Sequence, residues 1–358
     1  MRARLLRFVI LAMLAGLILT VPQINAQSLR PIRDNVGFCW NAQEMDTLMA
    51  YLSAHAGYRT VLEGKVIGGI SPHDDYLYAG RVYYPLYTMV SAPDVIIIGL
   101  THGVVRKEIG DPHGILIFDD FDEWAGPYGP VKISPLRSFV TQRLDTSMWR
   151  TNDKAQTLEH SIEALVPFLQ YYRRDVRIFP VMVTAMPLDR MSNVADALSS
   201  IVHEYAKEHH LVLGKDLAVL ISTDADHYGK DFDNAPFGED LHAHEQGAAL
   251  DREIIAKALT GALNEEHVRQ FTEYTWGSTS TAPGKSLWCG KYSVPFGSLF
   301  VMKLVALTNQ SGVSAVPLLY SDTWTEKVLP LRATTMGTTA PFSLKHWVGW
   351  CSVAFSVR

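Results

Sequence analysis

Short, almost unbroken apolar runs alternate along this chain with longer stretches in which apolar residues recur every three or four positions. The first pattern predicts buried parallel strands and the second amphipathic helices. Lys65–Ser71, Asp94–Leu100, residues 115–118, Arg177–Val183 and Leu217–Ser222 read as strands. Between them the spacing predicts helices over 41–55, 83–90, 156–172 and 188–209. In the third of these, Glu159 and Glu163 would share one face, His160 would lie one step round, and Pro167 would kink the axis. Helices over 242–259, 265–274 and 294–307 and closing strands over 313–320 and 347–355 complete the pattern. Such alternation predicts an α/β fold, a single domain with a central, mainly parallel mixed sheet flanked by helices.

Three of the apolar runs end in a histidine. VIGGISPH closes at His73, VIIIGLTH at His102 and LAVLISTDADH at His227. Open α/β sheets place ligands outside the carboxyl ends of their strands, so these side chains can converge from distant parts of the sequence. Neutral imidazole binds metals and carries protons near neutral pH, and a strand-capping or core role is the alternative for each histidine taken singly. The donors available are His73, His102, His160, His227, Asp74, Asp75, Asp224, Asp226 and Cys289. Imidazole, carboxylate and thiolate together suit one Fe(II), copper or Zn(II) ion. Asp74 and Asp75 read as solvated turn residues; for Asp226, tuning of the neighbouring His227 and a merely local role stay open. His203, His209, His210, His242 and His244 read as solvated surface, and His113 as a turn residue.

Composition narrows the functional classes. Arg2, Arg4 and Arg7 precede an apolar run from Phe8 to Val21, and Asn25-Ala26 before Gln27 resembles a cleavage site. Residues 1–26 are therefore expected to be a signal peptide and 27–358 the exported domain, periplasmic or extracellular; the apolar run is shorter than the roughly 20 residues a membrane span needs. Removal of the leader moves the formal charge from −5 to about −8, which argues against a nucleic-acid partner. No later run approaches membrane length, so no membrane partner is expected after cleavage. Three cysteines are too few for a disulfide scaffold; Cys39 and Cys351, near the two ends, could pair, leaving Cys289 free. Residues 277–284 form a loop just before Trp288-Cys289-Gly290. There is no G-x-S-x-G elbow, although Ser71, Ser161 and Ser222 stand near histidines, and no phosphate-binding glycine motif.

Seven segments, in order, resemble the Memo-like proteins, also called AmmeMemoRadiSam system protein B, which are related in fold to class III extradiol dioxygenases. They are RPIRDNVGFCW, SPHDDYLYAG, IIIGLTHGV, LEHSIEALVPFLQ, IFPVMV, STDADHYG and WCGK. The resemblance implies that His73, His102 and Cys289 hold a metal and that His227 is an acid/base, oriented by Asp224. It also implies that His160 and Asp224 line the pocket; Asp226 and Tyr76 are further candidates for the lining of a substrate pocket. Cys289 stands where the related dioxygenases use a glutamate, and a softer thiolate shifts preference toward copper or zinc. Asp74-Asp75 and Asp226 also depart from the family's usual residues. The expected function is an exported metalloprotein, as a metal-dependent oxidoreductase acting on a small molecule; the alternatives are a non-catalytic copper- or iron-binding protein and a Zn-dependent hydrolase.

Overall fold

The computed structural model describes residues 28–57, 62–276, 285–308, 310–332, 334–341 and 343–357. The expected leader over residues 1–26 and the loop 277–284 lie outside these residues. Among the described residues, no helix is long and apolar enough to cross a membrane.

The centre of the sheet is built from six strands: β1 (Lys65–Ser71), β2 (Asp94–Leu100), β3 (Arg177–Val183), β4 (Leu217–Ser222), β5 (Ser314–Asp322) and β6 (His346–Val357). Their spatial order is β3-β2-β4-β1-β6-β5. The first four run parallel, and β6 and β5 close one side antiparallel. The fold is the single α/β domain with a mainly parallel mixed sheet that the apolar runs predict. Parallel strands are covered on both faces, which is why they read as continuous apolar runs. Along β2, Ile96 and Ile98 join the core packed beneath helices Leu188–Glu208, Leu241–Ala258 and Ser293–Ala306. Val95 and Ile97 point the other way, into the core beneath helices Ala42–His55, Tyr76–Tyr87 and Val166–Tyr172.

The register brings the carboxyl ends level. Ile70 pairs with Ile221 and Ser71 with Ser222, while Ile98 pairs with Ile221 across the other edge of β4. His73, His102 and Asp224 therefore leave the sheet at one edge within two residues of their strands. Gly68 makes this approach possible, since a Cβ there would stand 1.8 Å from the Val219 carbonyl oxygen.

The segment 156–172 departs from the expected single helix. A first helix, Asp153–Leu158, stops at an extended Glu159, and the chain resumes helix only at Glu163–Leu165 and Val166–Tyr172. Pro167 lies in the first turn of the last of these, where a missing N–H costs nothing, so it starts a helix instead of kinking one. Glu159 and Glu163 consequently serve different partners. The predicted helix over 83–90 also begins earlier, at Tyr76, directly after the first histidine loop.

Candidate metal centre

His73, His102 and Cys289 each bring one ligand atom to a common point, all within 4.8 Å of one another. Cys289 reaches it from the loop before helix Ser293–Ala306, and its Sγ stands 3.4 Å from His73 Nε2. Tetrahedral ligands at about 2.0–2.3 Å from an ion lie roughly 3.5 Å apart, so this donor spacing fits one transition-metal ion.

Hydrogen bonds on the far side of each ring fix which nitrogen is free. Ser222 Oγ donates its one proton to the Ser161 carbonyl at 2.6 Å, so it accepts from His73 Nδ1 at 2.8 Å. His102 Nδ1 donates to the buried Glu159 carboxylate at 2.7 Å. Burial alone would raise Glu159, but the facing His102 and His160 hold its carboxyl below the usual range and keep it an acceptor. His227 Nδ1 donates to the Ala225 carbonyl at 3.1 Å. All three rings therefore present an unprotonated Nε2, the arrangement in which an outer partner sets the tautomer of a metal-binding imidazole.

Electrostatics favour neutral rings and a waiting cation. Burial and the positive charge of neighbouring imidazoles push His73 well below the usual histidine range, and burial lowers His160 and His227 to about 4. Burial and then the charge of Asp224 push the Cys289 thiol well above its ordinary value, although Asp224 N–H donates to the sulfur at 3.0 Å. Asp224 is itself raised by burial and by Asp74. A divalent ion would relieve this crowding and displace the thiol proton.

Of the remaining expected site residues, some converge and others do not. Asp224 and His227 form an overlapping donor group with Cys289. Asp224 does not orient His227, however: its Oδ1 accepts from His73 N–H at 2.9 Å, its Oδ2 lies 3.4 Å from His73 Nε2, and the Ala225 carbonyl orients His227 instead. His160 stacks on His102 with ring centroids 4.5 Å apart, and the two share a third group with Glu159. Tyr76 faces away into an aromatic core, its ring 4.9 Å from Phe168 and its hydroxyl on the Ala164 carbonyl. Asp226 stands behind the centre, where its Oδ1 accepts from Asn234 Nδ2 and Leu287 N–H, each at 2.8 Å.

Asp74 and Asp75 are not solvated turn residues. Trp350 Nε1 donates to Asp74 at 2.9 Å, and Thr339 donates to Asp75 from both its backbone and its hydroxyl. Burial, with the adjacent Asp74, lifts Asp75 to about 7. Both carboxyls are tied to the far end of the chain because the loop that carries His73 packs against β6. His244, expected at the surface, is buried against Asp322 at 3.0 Å. Cys39 and Cys351 are both buried and free, each in a separate apolar core.

The pattern reading missed Asp251. Fully buried on helix Leu241–Ala258, it accepts from Ser286 Oγ at 2.9 Å, Trp288 Nε1 at 2.7 Å, Tyr320 Oη at 3.0 Å and Asp226 N–H at 3.2 Å. It thus joins the arm bearing His227 to the arm bearing Cys289. The available signal was its place on the apolar stripe of that helix with Ala248, Ile254 and Ile255. An acid on such a stripe needs buried partners.

The family described as Memo-like protein matches residues 38–298. The chain is 32% identical over 168 residues to a MEMO1 family protein of Pyrobaculum arsenaticum, covering 46% of this chain and 54% of the relative. It is 32% identical over 181 residues to one from Pyrococcus abyssi, covering 48% and 57%. With a third, from Aquifex aeolicus, it shares 30% over 189 residues, covering 52% and 62%. The chain spans somewhat over half the length of these relatives. A match over residues 38–298, which takes in every donor of the centre, places the chain in the Memo-like protein family.

Proposed function

We propose that this chain is an exported metalloprotein that holds one transition-metal ion, Fe(II) or copper, through His73, His102 and Cys289, and that it is a metal-dependent oxidoreductase acting on a small molecule. The observation that carries this reading is the convergence of two imidazoles, each with Nε2 freed by an outer hydrogen bond, on one thiol. Three protein ligands leave coordination positions for substrate, and such an ion when bound supplies redox chemistry. The chain's own residues supply the rest. His227, neutral and with Nε2 free, takes or returns a proton at the substrate. His160, stacked on His102, walls the approach, and Asp224 holds the backbone of His73.

A second reading is a copper- or iron-holding protein without turnover. It is favoured by the deep burial of His73 and by the soft thiolate. Metal content measured on protein purified from its own compartment, beside His73→Ala, Cys289→Ala and His227→Ala, tests both. The oxidoreductase reading expects near-stoichiometric iron or copper, lost in the first two variants and kept in the third, which loses oxygen uptake with catechol-like substrates. Full metal with no turnover on any substrate would support the holding reading, and no metal in the wild type would overturn both. The N-terminal sequence of the same preparation tests export, with a start near Gln27 expected.

A further inference from the structure

No glycine or proline interrupts the run QTLEHSIEAL over residues 156–165, yet helix Asp153–Leu158 ends there and Glu159 is extended, with φ −88° and ψ 138°. Two sets of partners hold Glu159 out of the helix. One is the group of donors on its carboxylate: His102 Nδ1 at 2.7 Å, the backbone N–H of His102 and of His160 at 2.9 Å each, and that of Ser161 at 3.0 Å. The other comes from the N-terminal segment RPIRDNVGFCW, whose first residue is Arg30.

Arg30 is 1% exposed. Its Nε donates to the Gln156 carbonyl at 2.8 Å and its Nη2 to the Glu159 carbonyl at 2.7 Å. In an uninterrupted helix these two carbonyls would accept from the N–H of His160 and Glu163, four residues on. Arg30 takes both acceptors, and the His160 N–H turns to the Glu159 carboxylate instead. Arg33 Nε donates to the Leu158 carbonyl at 3.2 Å, so the helix ends on two guanidinium groups supplied by a distant part of the chain. The Arg30 guanidinium is itself fixed. It lies 4.1 Å from the centre of the Trp124 ring, its Nη1 donates to the Pro31 carbonyl at 3.0 Å, and it pairs with the buried Glu163 carboxylate. Glu163 accepts in turn from the backbone N–H of Arg33 at 2.9 Å and of Asp34 at 2.8 Å, which closes the unit. A planar, permanently charged group with donors on several sides suits such a junction, and lysine cannot reproduce its shape.

We infer that Arg30 is a positioning residue for the metal centre: by taking the carbonyls of Gln156 and Glu159 it keeps Glu159 extended, and so keeps the Glu159 carboxylate on His102. The inference rests on the reading of His102 as a ligand. Arg30 touches neither the ligand atoms nor a substrate; its effect passes through one backbone carbonyl and one side chain, Arg30 to Glu159 to His102. Without it, helix over 156–163 competes for the same carbonyls and draws the Glu159 carboxylate off the ring.

Two measurements on the full mature chain test this. The first is the proton resonance of His102 Nδ1–H in the metal-free protein, assigned by its loss in His102→Gln. The second is Co(II) affinity by chelator competition. Arg30→Gln should lose the resonance and bind Co(II) about 10-fold more weakly. Arg30→Lys, which keeps the charge against Glu163, should recover part of both. If Arg30→Gln fails to fold, Arg30→Gln with Glu163→Gln removes both buried charges together and is read in the same way. In a Glu159→Gln background, Arg30→Gln should add less than about a twofold loss, because residues acting in one chain are not additive. A role confined to stability would lower the urea midpoint while the folded protein kept the resonance and the wild-type affinity, and that result would overturn the inference. So would a full 10-fold loss in the Glu159→Gln background. Absence of Co(II) binding in the wild type sinks the metal reading alone, and the resonance then decides the role of Arg30 by itself.

Discussion

His73 Nδ1 stands 2.8 Å from the hydroxyl of Ser222, whose single proton is committed to the Ser161 carbonyl 2.6 Å away. The imidazole must therefore donate, and its Nε2 faces the centre unprotonated. Ser222→Ala removes the acceptor and frees both the tautomer and the ring. Metal affinity measured by competition with a chelator should fall about 10- to 100-fold. Unchanged affinity would mean that packing alone orients the ring.

Glu159 does the same for His102 and also accepts from the backbone N–H of His102, His160 and Ser161. Glu159→Gln keeps the shape but loses the charge and one acceptor. The variant should bind metal at least about 10-fold more weakly and unfold with a loss of about 1–3 kcal/mol. Urea denaturation and chelator competition measure the two effects separately.

Asp251→Asn turns an amide N–H₂ toward donors that a carboxylate accepted. Each carboxylate oxygen serves one hydroxyl and one N–H; the hydroxyl can turn and accept from the amide, but the N–H, Trp288 Nε1 or the Asp226 backbone, is left unpaired, at about 1–3 kcal/mol. Because Trp288 precedes Cys289, alkylation of Cys289 in the metal-free variant should be several-fold faster than in the wild type. An unchanged rate would show that Asp251 supports the fold without governing the thiol.

Metal binding should release protons in a defined amount. His73 lies well below the usual histidine range and is neutral at pH 7, whereas the Cys289 thiol lies well above its ordinary value and is protonated there. A divalent ion bound through these groups should release about one proton, from the thiol, and affinity should rise with pH. Dye-monitored titration in weak buffer reads the number directly, and a count near zero would show that the thiol stays protonated and is no ligand.

The neutral histidines give the metal-free protein an acid sensitivity of known sign. His227 is lowered to about 4 from an ordinary 6.5, so the unfolded chain takes up the proton first as pH falls. Its contribution to stability is present above pH 6.5 and is lost progressively down to about pH 4. The stability difference between wild type and His227→Gln, followed by urea denaturation, should change over this window and be flat above it.

Much of the architecture is legible along the chain because burial on both faces leaves a direct trace. The parallel strands β1 to β4 coincide with apolar runs, and the histidines follow from the same pattern, since the carboxyl end of each run marks the edge where ligands gather. The sequence alone thus determined the fold class and the candidates His73, His102 and His227, and the family resemblance added Cys289. Tertiary structure decided what each of these residues faces. Asp74 and Asp75 look solvated in a polar turn, yet packing of that turn against the C-terminal part of the chain ties the half-buried Asp74 to Trp350 of β6 and buries Asp75 against Thr339. The break at Glu159 has no periodic signature, because it is set by donors that reach its carboxylate from the His102 loop. Tyr76 lies in a family motif but turns into the aromatic core, and Asp251 gains its four donors from segments far apart in sequence. Hydrophobic periodicity records which side of an element is buried; it carries no record of which distant donor a buried polar group will meet, and that pairing set the tautomers and the geometry of this centre.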